Sequence, residues 1–170
     1  MADAAPQDAI SLLKADHRKV EGLFEQLEAA SGDGRKRKLA EQICMELTVH
    51  TKIEEEIFYP ACMGKADEGD LNEAYVEHDG AKVLMAEIEA GGPDEKFYDA
   101  KVKVLSEMIA HHVGEEEQRV EGLFAQARKA DIDMAVLGAE LAARKQALVA
   151  RYTASGTPKP DTLTFTEVTV

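Results

Sequence analysis

The stretch that decides the fold reads His50-Thr-Lys-Ile-Glu54. A second stretch, His112-Val-Gly-Glu-Glu116, repeats its spacing of a histidine four residues before a glutamate. Residues i and i+4 lie on the same face of an α-helix, so each pair directs two polar side chains to one side. Both pairs fall on apolar stripes, where polar groups without partners are costly to bury. The two pairs therefore predict helices that share a polar interior site.

Four stripes of apolar residues with helical periodicity run along the chain. They cover residues 10–27, 39–61, 71–88 and 102–127. Turn sequences rich in glycine separate them at 31–34, 64–70 and 91–94, with a weaker break at 131–133. Short connections between consecutive helices favour antiparallel neighbours. The sequence thus predicts an all-α fold, an antiparallel up-down-up-down four-helix bundle.

A further amphipathic segment, from about Met134 to Tyr152, predicts an additional C-terminal helix on the outside of the bundle. The predicted bundle with this fifth helix covers residues 1–153. Glycine and prolines then end the helix, and 154–170 form an extended C-terminal tail. The tail is interpreted either as a mobile terminus or as a strand-like arm that reaches a neighbouring subunit.

Composition narrows the classes of function. The chain has 170 residues and a formal net charge of -13, and such a charge repels nucleic-acid phosphates. No apolar run reaches the roughly 18 residues of a membrane span, and the N-terminus lacks the layout of a signal peptide. Cys44 and Cys62 lie too far apart for a CxxC site and are interpreted as reduced thiols. We therefore expect a cytoplasmic protein that binds neither nucleic acid nor membrane, as a monomer or homodimer.

Each of the four predicted bundle helices carries one histidine on its apolar stripe. Counted from the turns at about 1.5 Å per residue, these histidines reach a similar level of the bundle. The candidate metal ligands are His17, His50, Glu54, His78, His112 and Glu116. His111 and Glu115 have the same spacing as His112 and Glu116, but the better apolar stripe passes through His112. His111 is interpreted as an exposed residue or a hydrogen-bond partner of a ligand.

Imidazole and carboxylate together suit iron, zinc, manganese or copper, so the ligand types leave the metal open. Four histidines and two glutamates exceed the needs of one ion. They fit two ions bridged by the carboxylates, with histidines in the terminal positions. No histidine here follows a glutamate by three residues, which excludes the Glu-x-x-His pattern of ferritin-like di-iron bundles.

The ordered pattern of His17, His50xxxGlu54, His78 and His112xxxGlu116 resembles the hemerythrin-like HHE cation-binding family. The phrase from His50 to Pro60 and the stretch 124–129 add to this likeness, which covers roughly residues 8–150. The resemblance implies that the six candidate ligands bind two iron ions in a non-haem di-iron centre, bridged by carboxylates and an oxo or hydroxo group. It also implies oxygen, nitric oxide or peroxide chemistry at that centre, or iron and redox sensing.

The chain departs from the oxygen-carrying hemerythrins at one position. Those proteins have a second histidine one turn after the third-helix ligand, and Lys82 stands there in this chain. The resemblance therefore implies an open iron position or a replacement ligand such as Glu55, Glu115 or Tyr75. Reversible oxygen transport becomes a weaker expectation, and redox turnover or sensing a stronger one.

Three functional hypotheses follow from the sequence. The first is a di-iron protein that binds or senses O₂, NO or redox state. The second is an enzyme that uses the same site to turn over peroxide or nitric oxide. The third is a structural or interaction bundle with zinc or no metal. The first two imply a diatomic or peroxide ligand and a redox partner, and the sequence assigns no catalytic residue.

Overall fold

The computed structural model describes residues 8–165, and within them every regular element is helical. The helices are α1 (Ala9–Glu28), α2 (Asp33–Ile53), a π-helical segment (Glu54–Phe58), α3 (Tyr59–Cys62), α4 (Glu68–Gly91), α5 (Tyr98–Glu116), α6 (Leu123–Lys129) and α7 (Met134–Ser155). The side chains of Asp8, Asp67 and Asp133 cap the N-termini of α1, α4 and α7. The predicted all-α class is confirmed.

Helices α1, α2, α4 and α5 form the four-helix bundle. Helix α1 packs on α2, α2 on α4, α4 on α5, and α5 on α1. The connections between them are short, so neighbours in sequence run antiparallel, as predicted. None of the helices in residues 8–165 combines the length and apolarity required to cross a bilayer.

Two apolar clusters lie at different levels of the bundle, with a layer of buried polar residues between them. Along α1, Leu13 belongs to one cluster and Val20 to the other, and His17 lies between them. Along the antiparallel α2 the order reverses, with Leu47 in the second cluster and Ile53 in the first. The layer, called here the polar layer, contains Asp16, His17, His50, Glu54, His78, His112 and Glu116. Water is thereby excluded from it above and below.

The π-helical segment changes which residues of the second stripe face the core. The backbone N–H of Tyr59 donates to the carbonyl of Glu54, five residues earlier. The loop closed by this hydrogen bond holds one more residue than the corresponding loop of an α-helix. The regular stripe predicts Ile57 in the core, whereas the structure buries Phe58 and Tyr59 completely and leaves Ile57 partly exposed. After Glu54 the centre of the buried face therefore shifts to Phe58 and Tyr59, while the predicted stripe residues Ile57 and Ala61 pack against the core only partly buried.

The fourth stripe is interrupted as well. Helix α5 ends at Glu116, and Val120, predicted to face the core, is 65% exposed. The chain turns through 117–122, where the N–H of Gly122 donates to the carbonyl of Gln118 at 3.1 Å. The short helix α6 then returns Leu123 to the apolar core. The turn leaves an opening beside the end of α5.

Helix α7 packs on the outside of the bundle, as predicted, against α1, α2 and the π-helical segment. The residues it buries are Leu137, Gly138, Leu141, Leu148 and Tyr152. Its Lys145 donates a hydrogen bond to Asp16 of the polar layer. The fifth helix thus supports both the core and the candidate site.

The described part of the C-terminal tail docks on its own chain. The carboxylate of Asp79, in α4, accepts hydrogen bonds from the backbone N–H groups of Leu163 at 2.8 Å, Thr164 at 2.5 Å and Phe165 at 3.3 Å. Lys82 donates to the carbonyl of Asp161 at 3.1 Å. The chain to residue 165 is thus fixed to α4, while the rest of the predicted arm, residues 166–170, lies outside the described residues.

Substitution at Gly122 tests the turn between α5 and α6. A Cβ at Gly122 would lie 2.5 Å from the carbonyl oxygen of Gln118 and 2.7 Å from that of Glu115, so the backbone would have to move. We expect Gly122→Ala to lower the free energy of unfolding by about 1–3 kcal/mol in urea titrations. In the control, Gly114→Ala, the added Cβ meets nothing within 4 Å, and stability should stay equal or rise by up to about 1 kcal/mol. Equal losses in both variants would contradict the tight turn.

Candidate metal centre

The four predicted histidines meet in the polar layer as two pairs. The Nε2 atoms of His17 in α1 and His50 in α2 lie 3.1 Å apart. Those of His78 in α4 and His112 in α5 lie 3.2 Å apart. Each of the four residues is at most 5% exposed. When two nitrogens each lie about 2.1 Å from one ion and the angle between the two bonds is a right angle, the nitrogens are about 3.0 Å apart. The spacing within each pair therefore fits two ligands of one metal ion.

The two glutamates lie between these histidine pairs. The Oε2 atom of Glu54 is 3.2 Å from Nε2 of His50 and 3.3 Å from Nε2 of His78. Each glutamate contacts one histidine of either pair. The Oε2 atom of Glu116 is 3.4 Å from Nε2 of His17 and 3.5 Å from Nε2 of His112. Both carboxylates are therefore placed to bridge two ions.

Two glutamate oxygens of the polar layer have no hydrogen-bond partner among the described residues. These are Oε1 of Glu54 and Oε2 of Glu116, and their residues are 0% and 2% exposed. A buried carboxylate oxygen without a partner carries a large desolvation cost. A bound cation would remove that cost, so the donor set and its unpartnered oxygens fit a pair of metal ions.

A carboxylate faces the outer nitrogen, Nδ1, of every one of these histidines. The distances are 2.7 Å from His17 to Glu117, 3.6 Å from His50 to Asp16, 3.0 Å from His78 to Glu55 and 2.7 Å from His112 to Glu77. A carboxylate at Nδ1 favours the tautomer that carries its proton there, which leaves Nε2 free to bind a metal. Hydrogen bonds at Nδ1 thus orient His17, His78 and His112 with Nε2 toward the interior, while His50 has only the longer ionic contact with Asp16.

A lysine or arginine side chain stands behind three of these four outer carboxylates. Arg18 donates to Glu117 at 2.7 Å, Lys145 to Asp16, and Lys82 lies 2.7 Å from Glu55. The fourth carboxylate, Glu77, has instead the exposed ring of His111, at 3.6 Å. From each histidine outward there is therefore a carboxylate and then one further side chain. For three histidines that side chain is a lysine or arginine, and for His112 it is the surface imidazole of His111.

The charges of the polar layer shift its pKa values. Burial alone would lower the pKa of His50, but the charge of Glu54 and the carboxylate of Asp16 raise it to about 10. Burial also opposes the charged form of His112, yet Glu116 and Glu77 raise its pKa to about 9. For Glu54, burial raises the pKa, and the stronger effect of His50 and His78 holds it well below the usual range. The site is therefore arranged for carboxylates that stay ionised.

Tyr59 is a site residue that the sequence did not predict. Its hydroxyl lies 3.2 Å from Nε2 of His78, 2.9 Å from Oε1 of Glu116 and 3.3 Å from Oε2 of Glu54. Burial, followed by the charges of Glu116 and Glu54, raises the pKa of this phenol well above its ordinary value. The phenol therefore keeps its proton and donates a hydrogen bond to a carboxylate in the metal-free chain. The π-helical segment, which no local motif announces, turns Tyr59 inward.

The structure brings all six predicted ligands together, but not the predicted substitutes for a missing histidine. Glu55 contacts Nδ1 of His78, on the side away from the ligand atoms. Glu115 lies on the surface against His111, and Tyr75 packs edge-on against Tyr59 with 5.2 Å between ring centroids. Lys82 is buried against Glu55 and points to the tail. His111 is exposed, whereas His112 lies in the polar layer.

Comparisons with known proteins agree with this arrangement. A family model described as the hemerythrin HHE cation binding domain matches residues 8–124. A crystal structure of a hemerythrin HHE cation binding domain-containing protein from Mycobacterium kansasii shares the fold, with a TM-score of 0.73 and 21% identity. That match covers 88% of this chain and 94% of the other.

A curated protein named DNA nickase, from Nostoc sp., is 31% identical to this chain over 116 residues. The match covers 68% of this chain and 33% of the Nostoc protein. The chain therefore spans about a third of the length of that relative.

The raised pKa values predict that metal binding displaces protons. At neutral pH His50 and His112 hold a proton that metal binding must remove, since their pKa values are about 10 and about 9. The affinity of the metal-free chain for Zn²⁺ should therefore rise as the pH rises from about 6 to about 8. Calorimetry in two buffers of different ionisation enthalpy measures the released protons. Binding that releases none, with an affinity independent of pH, would contradict this electrostatic description.

Proposed function

Because this chain belongs to the hemerythrin HHE cation-binding domain family, we propose that its polar layer holds two iron ions. His17 and His50 would hold one ion, His78 and His112 would hold the other, and Glu54 and Glu116 would contact both. The paired Nε2 atoms and the unpartnered carboxylate oxygens support this assignment. Mixed imidazole and carboxylate ligands suit iron but also zinc or manganese, so the choice of iron follows the family rather than the geometry.

Tyr59 is proposed as a further ligand of the ion held by His78 and His112. Its hydroxyl stands about as far from His78 and Glu116 as the histidines of a pair stand from each other. The two ions then have unequal donor sets, with the phenol on one side only. The ion beside His17 and His50 keeps more room for an external ligand.

We propose that this ligand is a small molecule such as O₂, NO or peroxide, and that the chain binds or senses it. The observation that carries this proposal is a cavity of about 10 Å³ that touches all four histidines. The rest of its lining consists of the apolar residues Val20, Leu47, Ile109 and Val113 and the polar residues Asp16 and Thr51. A space of this size is at the lower limit for one water molecule and excludes larger organic substrates. Iron, when bound, would supply the reversible electron transfer that such ligands require.

The residues of the chain supply orientation, exclusion of water and a proton. The outer carboxylates hold the imidazoles in the ligand tautomer, and the two apolar clusters keep bulk water from the polar layer. The hydroxyl of Tyr59 holds a proton beside Glu116. An enzyme that turns over peroxide or nitric oxide is the second candidate, since such turnover would require a proton and Tyr59 holds one beside Glu116.

The likeness to the Nostoc relative does not indicate a DNA nickase activity for this chain. The match covers a third of that protein, and a net charge of -13 opposes binding to DNA. The cytoplasmic location, the redox partner and the monomeric or dimeric state stay predictions from the sequence.

The small cavity provides the test of the ligand. Reduced, iron-loaded protein is prepared without oxygen and titrated with NO, and a separate sample is titrated with O₂. Binding is followed by the absorption spectrum. Val20→Ile adds one methyl group to the cavity and should weaken binding roughly tenfold or more with iron content unchanged. The control, Val76→Ile, lies on an exposed part of α4 and should bind as the unmodified chain does. No binding of either gas would refute the proposal, and steady consumption of H₂O₂ with a reductant would favour the enzyme.

Replacement of Tyr59 tests its role as a ligand. A phenolate bound to iron(III) gives a charge-transfer band in the visible range. We expect Tyr59→Phe to lose this band while it keeps both irons, since four histidines and two glutamates remain. Tyr75→Phe removes the hydroxyl of the neighbouring ring and should keep the band. A spectrum that both substitutions leave unchanged would remove Tyr59 from the ligand set.

A further inference from the structure

An acid-lined cavity opens where α5 ends. It has a volume of about 660 Å³ and lies between α4, the turn at 117–122 and α6. The carboxylates that line it are Asp67, Asp70, Glu73, Glu77, Glu115, Glu116 and Glu121. Its lining contains no lysine or arginine among the described residues. We call it the acidic cavity. A concave surface lined by one sign of charge concentrates ions of the opposite sign.

The inner end of the acidic cavity is the polar layer itself. His112 and Glu116 both line it, although they are 4% and 2% exposed. The Oε2 atom of Glu116 is one of the buried oxygens without a hydrogen-bond partner. The cavity therefore leads from solvent to an unsatisfied carboxylate of the candidate metal centre.

A second group of potential metal ligands includes two residues of the cavity lining, Glu77 and Glu115, and the exposed His111 beside them. Glu77, His111 and Glu115 each offer one ligand atom, and these atoms lie within 4.8 Å of one another. The Nε2 atom of His111 is 3.2 Å from Glu115 and 3.6 Å from Glu77. We call these three residues the mouth site. One imidazole with two carboxylates suits a divalent first-row metal ion.

The mouth site is connected to the interior by Glu77. One of its oxygens faces His111 and the other accepts from Nδ1 of His112 at 2.7 Å. The three equivalent carboxylates elsewhere are paired with lysine or arginine, which would repel an arriving cation. Only at Glu77, among the four, is the partner a side chain that can itself bind a metal.

We propose that the acidic cavity is the route by which divalent cations enter the polar layer, and that the mouth site binds them transiently on the way. The inference rests on the proposed metal-binding function. The carboxylates of the cavity attract a hydrated cation, the mouth site exchanges some of its water for imidazole and carboxylate, and Glu116 receives it inside. No electron transfer is involved, because the ion moves as the divalent cation.

A second cavity supplies the control. It has a volume of about 680 Å³ and is lined by acidic residues, among them Glu25, Glu28 and Glu107, together with Lys36 and Lys103. None of the six proposed histidine and glutamate ligands lines it. Removal of the same charge at this cavity changes the net charge of the protein equally but leaves the proposed route intact.

The rate of iron loading tests the route. Metal-free protein is mixed anaerobically with Fe²⁺ at low ionic strength, the reaction is stopped with a chelator, and iron per chain is counted against time. Glu73→Gln with Glu121→Gln should slow loading roughly threefold to tenfold and reach the same final iron content. The control, Glu25→Gln with Glu28→Gln, should load at the original rate. The difference should shrink in high salt, which screens the charges.

Equal slowing in both double variants, or none in either, would overturn the route while the interior site stands. An unmodified chain that never takes up iron would overturn the proposed function and the route together. The two failures are therefore distinguishable.

Titration with Mn²⁺ tests the mouth site directly. Iron-loaded protein is titrated with Mn²⁺, and free Mn²⁺ is counted by its electron paramagnetic resonance signal. We expect one additional weak Mn²⁺ site per chain, lost when His111→Ala is combined with Glu115→Gln. The control is Lys103→Ala with Glu107→Gln, an exposed pair on the same helix. Binding that is equal in the mouth-site variant, or absent from the unmodified chain, would overturn the mouth site.

Discussion

The rest of the structure depends on one constraint, the burial of two glutamates and four histidines in a single layer of a helical bundle. Such groups are costly to remove from water unless each polar atom has a partner. The chain meets this constraint from outside inward. Lysine or arginine neutralises three of the four outer carboxylates, the carboxylates face Nδ1 of the histidines, and the Nε2 atoms converge. Two glutamate oxygens are left without a partner, and the proposed metal ions complete the layer.

The same constraint gives roles to elements that pack around the bundle. Helix α7 covers α1 and α2 and also brings Lys145 to Asp16, behind His50. The tail is fixed through Asp79 and Lys82, and Lys82 also pairs with Glu55, behind His78. The early end of α5 opens the layer to solvent on the side of Glu116. The elements that pack around the bundle therefore also supply the outer partners of the candidate ligands and determine where the polar layer is open to solvent.

The bundle and the six converging residues could be predicted because helical periodicity and i, i+4 spacing are local properties of the sequence. The inward turn of Tyr59 could not, since one extra residue in the π-helical segment shifts the stripe after Glu54. The turn at Gly122 depends on a close backbone contact. The apolar stripe in the sequence continues through this turn, so the pattern gives no sign of it. The outer carboxylates are invisible for another reason: Glu117 reaches His17 across 100 residues of sequence.

Anomalous diffraction at the iron absorption edge tests the central claim most directly. Crystals of protein from iron-replete cells should show two anomalous peaks per chain in the polar layer. One should lie against His17 and His50, and the other against His78, His112 and Tyr59, with Glu54 and Glu116 touching both. A single peak, peaks only at the surface, or a polar layer without any iron would contradict the di-iron account.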